Sequence, residues 1–179
     1  MHEVTTTPEF VDWFADSKIV DAEGKPRVVY HGSRVTFEGF KSPKRDPDIG
    51  FHFGDISQAE YFAGFNAHGR TATGGRIMPV YLRISNPLRV VDVFGGKRRH
   101  LLAVAWHLCD IGIIDVATRD RAQNQGSARL GWSIIIKALK ARGRDGFIYK
   151  NVREGNVKGE NSAYVVFDAE QIRSVFEGA

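Results

Sequence analysis

Cysteine is almost absent: Cys109 is the single one in 179 residues, so no internal disulfide can form. A reducing, cytoplasmic compartment is therefore expected, with delivery into a host cell left open. No apolar run approaches the roughly 20 residues that span a bilayer. The first thirty residues carry early acids and lack a long apolar stretch, so no signal-peptide pattern is visible. No P-loop, no G-x-G-x-x-G after a strand and no G-x-S-x-G elbow occurs. Six histidines are present, yet none stands at metal-ligand spacing from a partner cysteine or acid. A metal-free chemistry is expected.

What is present suits one globular domain over residues 1–179, with 42% hydrophobic and 26% charged residues. A chain of this size buries roughly two-thirds of its unfolded surface, so it needs no staple. The 25 basic and 21 acidic residues give a net +4, unevenly spread. Acids dominate the first 24 residues. Lys97-Arg98-Arg99 and the group Lys137, Lys140, Arg142 and Arg144 are basic. A basic face attracts phosphates, but no aromatic residues are interleaved with these clusters. A solvated helix face is the simpler reading.

Thr7-Pro8-Glu9 starts a helix, with Phe10, Trp13 and Phe14 forming one apolar stripe. Residues 21–26 read as a turn and 27–30 as a short strand. Residues 33–48 read as a loop. Further strands are expected over 49–53, 77–84, 88–93, 146–150, 163–168 and 172–176. Helices are expected from a Ser57 cap to Phe65, over 98–109, and over 128–141 before Gly143. Residues 119–127 are polar and read as irregular. The order is α+β, not the regular alternation of a doubly wound sheet.

Three features could carry chemistry. In Tyr30-His31-Gly32-Ser33 a histidine closes a strand, and the next glycine lets the backbone approach a flat ligand or bend sharply. A strand-end histidine bonded to a carbonyl is the plainer alternative. In Gly50-Phe51-His52-Phe53-Gly54 two glycines bracket an aromatic strand, followed by Tyr61 and Phe62. Core packing is the plainer role for Phe51 and Phe53. The third feature is the acids Glu154 and Glu160 before the strand Ala163-Tyr164-Val165-Val166-Phe167-Asp168. Cys109 sits in an apolar helix pattern and reads as core.

In this order the three features, with Ala59-Glu60-Tyr61-Phe62 and the continuation Ala169-Glu170-Gln171-Ile172, resemble the ADP-ribosyltransferase superfamily. The likeness is to its diphtheria-toxin and poly(ADP-ribose) polymerase branch. Within that branch it is greatest to the phage and mobile-element domains called ADP-ribosyltransferases of polyvalent proteins. The stretches 13–18 and 145–151 are also similar to that group.

The resemblance implies split antiparallel sheets forming an NAD cleft flanked by helices, with NAD as substrate and no metal. His31 matches the histidine that bonds the adenosine ribose, and Gly32 the glycine whose backbone holds the nicotinamide amide. Tyr61 matches the tyrosine that stacks on nicotinamide. Ser33, His52 and Phe53 fall beside them, with His52 where relatives often carry tyrosine. Arg34, Lys41, Lys44 and Arg45 follow the His-Gly motif and are expected to meet the diphosphate. The third motif departs from the pattern, because Ala163 stands where relatives carry the catalytic glutamate. Glu154, and after it Glu160, are then the candidate carboxylates. The implied activity is mono-ADP-ribosyl transfer to a macromolecular target, protein or nucleic acid, with no membrane partner. An inactive NAD-binding or interaction module stays open. So does a nucleic-acid enzyme: a toxin-like RNase or an RNA 2′-phosphotransferase relative.

Overall fold

The computed structural model describes residues 4–36, 39–41, 48–64, 74–93, 100–152 and 161–176. Their helices are α1 (Pro8–Phe14), α2 (Ile56–Ala63), α3 (His100–Asp110), α4 (Val116–Gln123) and α5 (Ala128–Lys140). Their strands are β1 (Val29–Ser33), β2 (Phe51–Phe53), β3 (Arg76–Leu82), β4 (Pro87–Val90), β5 (Gly146–Lys150), β6 (Ser162–Val166) and β7 (Ile172–Ser174).

One sheet runs β1-β3-β7 and is antiparallel throughout. The other runs β2-β6-β5-β4, antiparallel except that β4 lies parallel to β5. The α+β class expected from element order is found. The two sheets meet where Tyr30 and Gly54 exchange backbone hydrogen bonds of 2.9 and 3.0 Å.

Strand alternation decides which core each side chain joins. Val80 and Leu82 of β3 face between the sheets with Val29 and Ile172, where they meet Phe53, Ile148, Tyr164 and Val166 of the second sheet. Tyr81 points the other way, its ring edge-on to Phe10 of α1 at 5.0 Å. On the far face of the second sheet, Phe147, Tyr149, Ala163 and Val165 pack under Val104, Leu108, Trp132, Ile135 and Leu139 of the helical layer. Each fully buried side chain of this size contributes about 1.5–3 kcal/mol.

α1 begins as its sequence dictates: Thr7 Oγ1 accepts the Phe10 amide, Pro8 occupies the first turn, and Phe10, Trp13 and Phe14 are buried. Two expectations are corrected. The cap of α2 is Asp55, whose Oδ1 accepts the Gln58 amide at 2.9 Å, while Ser57 Oγ donates to the same oxygen. A carboxylate at the positive end of a helix is the stronger cap. Much of the polar stretch 119–127 is helical, within α4. Asp115 caps α4, which buries only Thr118 and Ala122, so its apolar signature is too faint to register.

Candidate functional site

β1 starts and ends later than the Arg27–Tyr30 strand expected: Arg27 and Val28 lie outside it. His31, Gly32 and Ser33 continue it, paired with Met78, Ile77 and Arg76 of β3. His31 therefore sits on a fixed strand beside the junction of the two sheets. Its Nδ1 lies 2.8 Å from the carbonyl oxygen of His52 on β2. A carbonyl only accepts, so Nδ1 carries the proton and Nε2 is the acceptor end of the ring. The ring packs edge-on to Phe40 at 5.3 Å and tilted against Phe53 at 5.5 Å.

Burial holds the His31 pKa below its usual value, with the charge of neighbouring His52 acting in the same direction, against the opposing hydrogen bond to the His52 carbonyl. The imidazole is thus neutral at pH 7. Because the unfolded chain takes up its proton near pH 6.5, this residue's contribution to stability is fully present above about pH 6.5. It is lost as pH falls toward the lower folded value. Urea unfolding of wild type and His31→Gln between pH 7.5 and 5 is expected to show a shallower acid-side loss in the variant. Superimposable slopes would refute a depressed pKa at this residue.

Gly32 is where β1 meets α2. A Cβ built on it would lie 1.9 Å from the backbone oxygen of Ala59. The sequence points to a flat ligand or a sharp bend at Gly32; in the structure Gly32 stays in the strand, and what comes close to it is the backbone of α2. Ser33 closes the strand with its own side chain, Oγ donating to the Val35 carbonyl at 2.8 Å and accepting the Val35 amide at 3.2 Å.

Tyr61 stands one turn beyond Ser57 and Gln58, on the flank of α2, away from the buried stripe of Gln58, Ala59 and Ala63. It is 55% exposed, its ring edge-on to Phe62 at 5.4 Å. α2 thus brings an available aromatic ring to the element that packs on Gly32. His52 is half-buried, with Nε2 3.3 Å from an Asp48 carboxylate oxygen. Its backbone carbonyl sets the His31 tautomer. Phe53 is buried between the sheets. Among the expected diphosphate contacts, Lys44 and Arg45 lie outside the described residues.

Glu154 and Glu160 also lie outside the described residues. Ala163 is 2% exposed and belongs to the core under the helices. A carboxylate there would be desolvated among Phe147, Val165 and their neighbours, at a penalty of several kcal/mol. Two amides passed over in the sequence are buried near these elements. The Gln58 side chain lies against Gly54, and its Nε2 has no hydrogen-bond partner among the described residues. Asn161 precedes β6 with both amide atoms in the same condition. No periodicity in the sequence singles them out. Among the described residues, no group of three or more His, Cys, Asp or Glu could hold a metal ion. No helix among them is long and apolar enough to cross a membrane.

No curated protein matches the chain. Among solved structures, one described as "Crystal structure of an anti-CRISPR protein" is similar at 11% identity and a TM-score of 0.30, over 80% of this chain and 90% of that one. The family model described as "ADP-Ribosyltransferase in polyvalent proteins" matches residues 21–179, a span holding both sheets, His31, Gly32, Tyr61 and the acids before β6. The chain therefore belongs to the ADP-ribosyltransferase family of polyvalent proteins.

Proposed function

We propose that this chain cleaves NAD between nicotinamide and ribose and transfers ADP-ribose to a macromolecular target. Family membership supports NAD as the substrate. The observation that carries the site is the His31 ring fixed beside the junction of the two sheets, its Nδ1 2.8 Å from the His52 carbonyl oxygen; in this reading the imidazole bonds a ribose hydroxyl. It lies next to Gly32, and α2 packs on Gly32 and carries the exposed Tyr61.

The chemistry needs little beyond placement. The nicotinamide nitrogen is cationic in NAD and takes both bonding electrons as it leaves, so it departs neutral. The ribose carbon passes through an oxocarbenium-like state, as in glycoside cleavage. It then bonds to a nucleophile of the target, which gives up its proton. The protein must hold NAD bent and stabilise the cation. The Tyr61 ring supplies stacking, about 1–3 kcal/mol on the scale measured for nucleobases. In this reading a carboxylate from Glu154, and failing it Glu160, stabilises the ribose cation and orients the nucleophile.

The test is nicotinamide release from NAD together with transfer of labelled ADP-ribose. Glu154→Gln is expected to lower both by roughly 100–1000-fold, the scale of removing one preorganised electrostatic group. His31→Ala and Tyr61→Ala are expected to raise KM for NAD by about tenfold each. Full activity in both of those variants would remove the site assignment. Ala163, buried where relatives carry glutamate, favours a second reading: an NAD-binding module without turnover. Calorimetric NAD binding by wild type, with no nicotinamide released on any target, would select it.

A further inference from the structure

At the other end of β3 from His31 there is an open groove of about 320 Å³, lined by Arg83, Lys140, Gly143, Arg144, Asp145, Asp168 and Gln171. Five to six residues of strand separate Arg83 from the positions paired with His31 and Gly32, roughly 17–20 Å at strand rise. It is thus distinct from the proposed NAD site. Three cations reach it from different segments: Arg83 just past β3, Lys140 at the end of α5, and Arg144 in the connection to β5.

Both acids of the groove are engaged. The Asp145 carboxylate accepts the backbone amides of Ser85 and Asn86 at 2.6 and 2.9 Å. Asp168 pairs with Lys140 Nζ at 2.5 Å. The end of α5 is also hydrogen-bonded. The Leu139 carbonyl accepts the amides of Arg142 and Arg144, the Lys140 carbonyl accepts Gly143, and the Gly143 carbonyl accepts Asn86 Nδ2. Those bonds blunt the negative end of the helix dipole.

Lys140 is held by its ion pair with Asp168, and the two arginines are less occupied. Arg144 is fixed through Nη1 alone, 2.7 Å from Asn86 Oδ1, which leaves the Nε and Nη2 donors of a planar fork suited to phosphate. The Arg83 guanidinium stands 6.0 Å from the Trp13 ring and makes no ion pair among the described residues. The floor is rigid: Gln171 is buried and bonded to four backbone groups around it.

We propose that this groove binds the phosphate of a compact phosphorylated ligand, with Arg83 and Arg144 as the direct donors. Its volume is at the small end of ligand sites, about 300–1000 Å³, which fits a small molecule better than a nucleic-acid strand.

The probe is inorganic pyrophosphate, titrated calorimetrically into the full chain at low salt. Saturable binding is expected. Arg83→Glu should abolish it, and Arg83→Gln should weaken it about tenfold, the loss of one charge-assisted contact. Nicotinamide release from NAD should be unchanged in both. Arg144→Gln should act similarly, but it also releases Asn86, so the Arg83 variants decide the matter whatever happens to folding at Arg144. Absence of saturable binding in wild type, or equal binding by Arg83→Glu, overturns the proposal. Tighter binding of a ten-nucleotide RNA than of pyrophosphate, lost in Arg83→Glu, overturns the assignment to a small ligand. The titration contains no NAD, so its failure and that of the transferase reading are told apart.

Discussion

Gly32→Ala is expected to destabilise the fold by about 3 kcal/mol or more and, on the proposed function, to abolish nicotinamide release from NAD. Inserting a methyl into a packed region typically costs about 1–3 kcal/mol. Here the atom it meets is the main-chain oxygen of Ala59, 1.9 Å from the new Cβ, and no rotamer change can move it. Either α2 shifts as a body or β1 bends away. Each response displaces Tyr61 relative to His31, so function fails even in a fraction that stays folded. Urea unfolding and nicotinamide release measure the two effects.

The partner's identity sharpens the expectation. Gly32→Ala combined with Ala59→Gly should recover nothing, since deleting the Ala59 side chain leaves its carbonyl in place. At Gly54, by contrast, a Cβ would meet the side-chain oxygen of Gln58 at 1.6 Å. Gly54→Ala should therefore be substantially rescued by Gln58→Ala. Wild-type stability in Gly32→Ala, or rescue of it by Ala59→Gly, would refute the close packing of β1 on α2.

Much of this arrangement is legible in the sequence, for stated reasons. The Thr7-Pro8-Glu9 start and the Phe10, Trp13, Phe14 stripe are local signals, and α1 follows them. Residues 146–150 read as a strand, and β5 occupies those positions, buried over its first four residues. β1 was harder to place. His31-Gly32-Ser33 has weak strand propensity, and only pairing with β3, more than forty residues later, makes it a strand. At the site, residue types were legible and relationships were not. The bond from His31 to the His52 carbonyl joins positions 21 apart in the chain. Nothing in Tyr30-His31-Gly32-Ser33 reveals that Gly32 faces a helix backbone. The meaning of Ala163 also needed the structure, since pleat parity puts it with Val165 under the helices.

Gln171 shows the same limit most sharply, because its sequence context marks a motif without revealing what it does. The residue is 7% exposed. Its Oε1 accepts the amides of Phe167 and Asp168, both at 3.0 Å, and its Nε2 donates to the carbonyls of Arg83 and Asp145 at 2.9 and 2.8 Å. One side chain thus ties together the exit of β6, the exit of β3 and the entry of β5, using the whole capacity of a carboxamide. Gln171→Leu keeps much of the volume but leaves two amides and two carbonyls without these partners. An unsatisfied buried group costs about 1–3 kcal/mol, partly relieved where water enters the adjoining groove. A loss of about 3–5 kcal/mol in urea unfolding is the expected result. Gln171→Glu should be no better: it retains both acceptors, loses both donors, and sets a buried carboxylate against two carbonyl oxygens. A loss under 1 kcal/mol in Gln171→Leu would mean that β3, β5 and β6 hold their register without this tie.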